Sequence, residues 1–356
     1  MTVAYLPARP TDSARTTLGL DLTGLGADPG SSSLGVDLPV EKANLARLAS
    51  YTRAAHEGGV AFVALDEQFR LRSDRAVRRD AWLDPVVAAR RISPHARSAG
   101  LVSSVPLRQA DPGALAGELA QMAGPAGTWA GLQVSAGTAR ADAVADVLDH
   151  VSRSLGRTRP GSRPVARPRV VVPLRSEADI ELAGSVADVV RVRERDLSWA
   201  RELRYAVRAT SRAAGRGDVS VLVDLHTVIS ADRGAAEARA GLVADIAGEH
   251  PSWAGALEAV GTAEDVVETM ERWITAGAAD GFVILPGSVP ADVAALLREV
   301  VPGLRARGLL AEAAAPAAAP ARPAVDGARK PQARRAPVRV VRPPSQAART
   351  LAARPA

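Results

Sequence analysis

The chain predicts an α/β fold, a (β/α)8 TIM barrel with a shortened insertion and a disordered C-terminal tail. Three observations predict it. Eight short apolar runs, each suited to a strand buried on both faces, recur between residues 17 and 310, and most are followed by a segment with helical spacing. That span suits the roughly 250 residues of one such barrel with modest loops. No G-x-G-x-x-G follows a strand and no G-x-x-x-x-G-K-[ST] occurs, so neither a dinucleotide-binding fold nor a P-loop competes.

Residues 1–16 read as a flexible polar lead and Thr17–Leu22 as the first strand, with a Gly- and Ser-rich loop over 24–39. Val40–Glu57 has helical spacing through Leu45, Leu48 and Tyr51 until Gly58-Gly59 stops it. The second strand, Val60–Leu65, ends on Asp66, and an Arg-rich loop over 67–80 precedes a helix at Trp82–Ile92. Gly100–Val105 is the third strand, Leu115–Met122 a helix, and Thr128–Ser135 the fourth strand. Gly137–Pro168 then reads as a helix carrying Val144, Val147, Leu148 and Val151, followed by a basic, proline-rich turn.

Arg169–Leu174 and Asp188–Val192 are the fifth and sixth strands, and the helix Leu197–Ala214 buries Leu203 and Val207. Val219–Ile229 is the seventh strand, Ala235–Ala247 a helix, and Gly248–Ala259 a mobile connection. Residues 261–310 are the best specified. Thr262 caps a helix with Asp265 as its capping-box partner, and Val266, Val267, Met270, Trp273 and Ile274 share one face. Gly277 gives the left-handed stop, and Phe282 to Leu285 form the eighth strand before Pro286. Val293, Leu296, Leu297, Val300 and Val301 bury one side of the last helix; Pro302 restarts it and Gly308 ends it.

The 356 residues are 47% hydrophobic and 24% charged, enough for one large core. The net charge of +6 is uneven, because residues 313–356 carry eight Arg and one Lys against Asp326 alone, which leaves the body slightly acidic. Ala, Pro and Arg dominate that tail, and it cannot bury enough surface to offset the entropy of ordering. A solvated extension is the plain reading of it, and nucleic-acid binding applies to the tail only. With no Cys, disulfides, thiolate metal sites and cysteine nucleophiles are excluded. No 18-residue apolar run occurs, so a protein off the membrane and in the cytoplasm is expected. None of His56, His95, His150, His226 and His250 stands at metal-ligand spacing, and only His226 falls near the C-terminal end of a strand. It is either a structural His or a proton carrier.

Three segments in register, Gly261-Thr262-Ala263-Glu264-Asp265-Val266, Ala276 to Phe282, and Val300 to Leu309, resemble the C-terminal part of the luciferase-like flavin monooxygenases, especially the nitrilotriacetate and dibenzothiophene-sulfone monooxygenase branch. The resemblance implies an FMN-dependent monooxygenase acting with O2 on a small organic substrate, with reduced FMN supplied by a flavin reductase, a deazaflavin as the alternative cofactor, and a homodimer. By position in the family pattern, Asp66, Ser104 and Gln133 would contact the flavin ring, while Arg175 and Ser176 would hold its phosphate. Asp66 also reads as a solvated loop carboxylate, and Ser176 as a plain N-cap.

The chain departs from the family in three places. Pro106, Leu107 and Arg108 replace hydroxyl residues after the third strand, and Asp111 to Gly117 lacks the family's His and Arg. Gly137–Pro168 stands where relatives carry a long insertion. Where relatives have A-G-x-S-x-x-G, this chain has Pro173-Leu174-Arg175-Ser176-Glu177-Ala178-Asp179, without either glycine and with two added carboxylates. These losses keep open a second class, a non-catalytic barrel serving binding or assembly.

Overall fold

The computed structural model describes residues 16–25, 45–69, 71–72, 82–96, 99–106, 111–122, 129–135, 141–156, 167–249 and 251–310. The lead, most of the loops over 24–39 and 67–80, the turn over 157–166, Leu107, Arg108, His250 and the tail lie outside them.

Eight parallel strands close on themselves: β1 (Thr17–Asp21), β2 (Phe62–Leu65), β3 (Gly100–Ser104), β4 (Ala130–Gln133), β5 (Arg169–Leu174), β6 (Val189–Val192), β7 (Ser220–Ile229) and β8 (Gly281–Pro286). Each pairs with the next, and β8 returns to β1 through Thr17 opposite Gly281 and Leu20 opposite Ile284. The expected (β/α)8 barrel is present.

The extra strand Leu257–Gly261 differs from expectation. It pairs in parallel with the C-terminal half of β7, in a segment that reads from sequence as a mobile connection. β7 runs ten residues and overhangs its neighbours, so its far half has backbone groups to satisfy. A two-residue antiparallel pair, Leu71–Arg72 with Trp82–Leu83, was also not foreseen, and it moves the start of the next helix to Pro85.

Side chains alternate between the helix-facing layer and the lumen, as a period of two requires. Phe62, Val102, Val171, Val189, Leu222 and Val283 pack together inside the barrel. Gly19 makes room for that plug, since a Cβ there would lie 2.4 Å from the Phe62 ring. One residue pair further along the same strands, the lumen turns polar with Asp21, Gln133, Arg191 and Asp224, all buried.

The helical layer follows the sequence signals closely where they are local. Thr262 accepts from the Asp265 N–H while the Asp265 carboxylate accepts from the Thr262 N–H, a complete capping box. Gly277 has φ of +69° and Gly308 of +71°, the left-handed conformation that ends a helix at little cost only in glycine. The last helical stretch runs from Val289 to Ala306 and passes through a π turn at Leu296–Val300. Pro302 follows that turn, where the widened hydrogen-bond pattern tolerates its missing N–H.

The tightest point of the barrel seam is Gly281, where a Cβ would sit 1.9 Å from the Thr17 carbonyl oxygen. Because the clash is with backbone, no rotamer relieves it. Gly281→Ala should lower the free energy of unfolding by about 3 kcal/mol or more in urea titration; an unchanged midpoint would contradict the β8–β1 packing described here.

Candidate functional site

The C-terminal ends of the strands carry the polar residues, and the deepest of these is Arg191 in the middle of β6. A guanidinium is a donor-only fork that stays charged, so its burial demands acceptors on several sides. Arg191 Nε and Nη2 donate to the two Asp224 oxygens at 2.8 and 3.0 Å, Nη2 also donates to Asp21 at 2.9 Å, and Nη1 donates to Gln133 Oε1 at 2.8 Å. The strands β1, β4, β6 and β7 are thereby joined across the lumen.

That fork orients the next layer. With Gln133 Oε1 turned towards Arg191, the amide must present Nε2 to the mouth, where it donates to Asp66 Oδ1 at 2.9 Å and to Ser104 Oγ at 2.8 Å. Ser104 Oγ in turn donates to Asp66 Oδ1 at 3.0 Å. Asp66, Ser104 and Gln133, expected as ring contacts, are thus brought together from three successive strands, and they bond to one another. The solvated-carboxylate reading of Asp66 does not hold, because its side chain is only 14% exposed.

Electrostatics follow from the count of charges. Burial pushes the Asp21 carboxyl up, and the neighbouring charge of Asp66 pushes it further, against the opposing pull of Arg191. Burial also acts to raise Asp66, but Arg191, the Glu67 N–H and Arg175 together hold it below the usual carboxylate range. Arg191 is held firmly protonated, because Asp224 and Asp21 outweigh its burial.

Above this layer lies a cavity of about 390 Å³, within the range of small-molecule sites. Its lining includes Asp21, Thr23, Asp66, His226, Trp253 and Leu285. The His226 ring stacks on Trp253 at 4.2 Å between centroids and 7° between planes. Its Nδ1 lies 3.1 Å from the Leu285 carbonyl oxygen, which only accepts, so in the neutral ring the proton sits on Nδ1 and Nε2 carries none. Burial lowers the His226 pKa, which keeps the ring neutral at pH 7. A second, more apolar cleft is lined by Ser104 with Val86, Val105, Pro106 and Leu115.

Arg175 and Ser176, expected to hold a phosphate, stand at the start of the helix Glu177–Val186. Arg175 Nη1 donates to Glu67 at 2.8 Å, and Nη2 lies 3.6 Å from Asp66. Ser176 occupies the N-cap position but accepts from no helix N–H; its hydroxyl donates to Asp179 at 2.9 Å.

No family model matches the chain, and no curated protein does. Solved structures share its fold. An EDTA monooxygenase (EmoA) from Chelativorans sp. BNC1 superposes with a TM-score of 0.60 at 18% identity, covering 83% of this chain and 95% of that one. A riboflavin lyase (RcaE) with modified FMN and its substrate riboflavin gives 0.62 at 16% identity over 83% and 93% of the two chains. An F420-dependent secondary alcohol dehydrogenase gives 0.56 at 12% identity over 80% and 98%. The chain shares the (β/α)8 barrel fold of these enzymes. Both side chains expected at a phosphate, Arg175 and Ser176, already face carboxylates.

Sequence reasoning did not assign Arg191, Asp21, Asp224 or Trp253 to the site, and read Asp179 only as an added carboxylate. One signal was present: a charged residue inside an otherwise apolar strand, in V-V-R-V, G-L-D-L and L-V-D-L, is costly unless paired. Among the described residues, no helix is long and apolar enough to cross a membrane.

Two outcomes follow. Arg191→Met should destabilise the protein by about 3–5 kcal/mol in urea titration, because it strands buried carboxylates, and adding Asp224→Asn should recover part of the loss. Asp66 has a folded pKa below its unfolded value, so its ionisation stabilises the fold above about pH 4 and that stabilisation is lost as pH falls. The stability gap between wild type and Asp66→Asn should therefore be largest near neutrality and close on acidification; a gap independent of pH would contradict the pairing.

Proposed function

We propose that the chain binds a flavin-type ring at the mouth of its barrel and works as an oxidoreductase on a small organic substrate. The observation that carries this reading is a cavity at the barrel mouth lined by Asp66, whose carboxylate Ser104 and Gln133 from β3 and β4 hold in place, and by the stacked His226 and Trp253 rings. The monooxygenases among the solved structures of this fold support it by analogy of fold.

Each group has work to do in such a site. A reduced flavin, when bound, supplies the electrons for chemistry with O2 on the substrate. Asp66 Oδ2 offers an acceptor to a ring N–H, while Ser104 and Gln133 hold that carboxylate in place. Trp253, Leu285, Pro286 and Val289 form an apolar side that limits water at the cavity. His226, neutral with Nε2 unprotonated, is suited to take a proton from a substrate. The proposal concerns the ring alone, which flavins and deazaflavins present in similar form. A reductase partner, a homodimer and a cytoplasmic location belong to the same reading.

The second reading, a barrel that binds or assembles without catalysis, is favoured by one specific observation. The polar wall is self-satisfied: Asp66, Ser104, Gln133 and Arg191 bond among themselves and need no ligand to complete them.

Titration of the purified protein with lumiflavin, followed by quenching of its fluorescence, separates the two. Saturable binding is expected, weakened about tenfold by Gln133→Leu through the loss of hydrogen bonds at the wall. No binding at high micromolar ligand would favour the second reading.

A further inference from the structure

We infer that this barrel excludes phosphate from the seat at the start of the helix Glu177–Val186, so the ligand of the mouth cavity bears no phosphate at that end. The inference rests on the reading of the cavity as a flavin-ring site only for the identity of the ligand, which then belongs to the riboflavin class and not the FMN class.

A helix N-terminus attracts anions because its first N–H groups lack intrahelical partners and the dipole is positive there. Here the chain supplies the anion itself. Asp179, on the third residue of the helix and only 1% exposed, accepts from the Arg175 N–H at 3.0 Å and from the Ser176 hydroxyl at 2.9 Å through one oxygen. The backbone donor and the hydroxyl that would hold a phosphate are therefore already bonded to a buried carboxylate.

Two neighbouring groups are limited as well. The Arg175 guanidinium is paired with Glu67, and Pro173 has no N–H to give. Glu177 adds a second carboxylate to the first turn of the helix. A phosphate dianion entering this seat would have to displace Asp179 and then lie beside it, and like charges at close range in a partly buried site repel. The side chain of Arg175 instead closes over Asp66, which ties the start of this helix to the ring wall.

The test compares riboflavin with FMN, and adds inorganic phosphate alone, on the full-length protein by fluorescence and calorimetric titration. Wild type should bind FMN no more tightly than riboflavin and show no saturable binding of phosphate. Asp179→Asn keeps a side-chain acceptor for the Arg175 N–H and removes the charge, and it should improve the affinity for FMN relative to riboflavin at least about tenfold, the effect of one charge-assisted hydrogen bond. If Asp179→Asn does not fold by circular dichroism, Glu177→Gln on the exposed side of the same turn should shift the ratio in the same direction.

Wild-type FMN binding at least tenfold tighter than riboflavin would overturn the inference while leaving the ring site standing, as would a charge-removing variant that folds and gains nothing. If no flavin binds, the ring-site reading fails, and phosphate alone still decides. Saturable phosphate binding by wild type that is lost in Ser176→Ala overturns the inference, and phosphate binding gained only in the charge-removing variants supports it.

Discussion

The buried fork of Arg191 is the interaction on which the mouth of this barrel depends. Taking a guanidinium and two carboxylates out of water costs several kcal/mol per ion, and geometry alone decides whether the pairing offsets it. Here every arm of the fork has an acceptor, and the acceptors come from β1, β4 and β7. Such a network adds little net stability compared with an apolar plug, but it penalises any arrangement that misplaces one strand. A one-residue slip of β6 would turn Arg191 towards the helices and leave Asp21 and Asp224 facing an empty lumen. The charge layer thus fixes register in the half of the barrel where apolar packing gives way to the site.

The same fork passes its order upward. A donor-only guanidinium forces the Gln133 oxygen inward, and the Gln133 amide nitrogen then holds Asp66 and Ser104. The apolar plug below and the ion layer in the middle are rigid supports of the kind a binding site needs. The helix start beside Arg175 is the exception. Its buried acid Asp179 accepts from the Arg175 N–H and the Ser176 hydroxyl, so this helix start satisfies those two donors from within the chain.

Legibility from sequence divided along the distance between partners. The capping box of Thr262 and Asp265, the stops at Gly277 and Gly308, and the strand β5 at Arg169–Leu174 were all readable, because each depends on residues a few positions apart. The barrel was readable because eight buried strands repeat one local pattern. Arg191 meets Asp21 across 170 residues and Asp224 across 33, and nothing in the local pattern names those partners. The strand Leu257–Gly261 was missed for a similar reason: its buried-and-exposed alternation rests on a single polar residue, Glu258, and its partner is the distant overhang of β7. Asp179 was legible as a carboxylate added at this helix start, but not as the acceptor for the Arg175 N–H and the Ser176 hydroxyl, since a loop's bend back onto its helix is not written in residue spacing.

The central claim is that Arg191 is locked between carboxylates in the lumen, and the guanidinium protons report on that directly. In nitrogen-edited NMR of labelled protein, with the signal assigned by its absence in Arg191→Lys, the Arg191 Nε–H should exchange with D2O far more slowly than that of the exposed Arg233, and its Nη groups should not rotate freely. An Arg191 signal that exchanges as fast as Arg233, with averaged Nη resonances, would show a mobile, hydrated side chain and contradict the account.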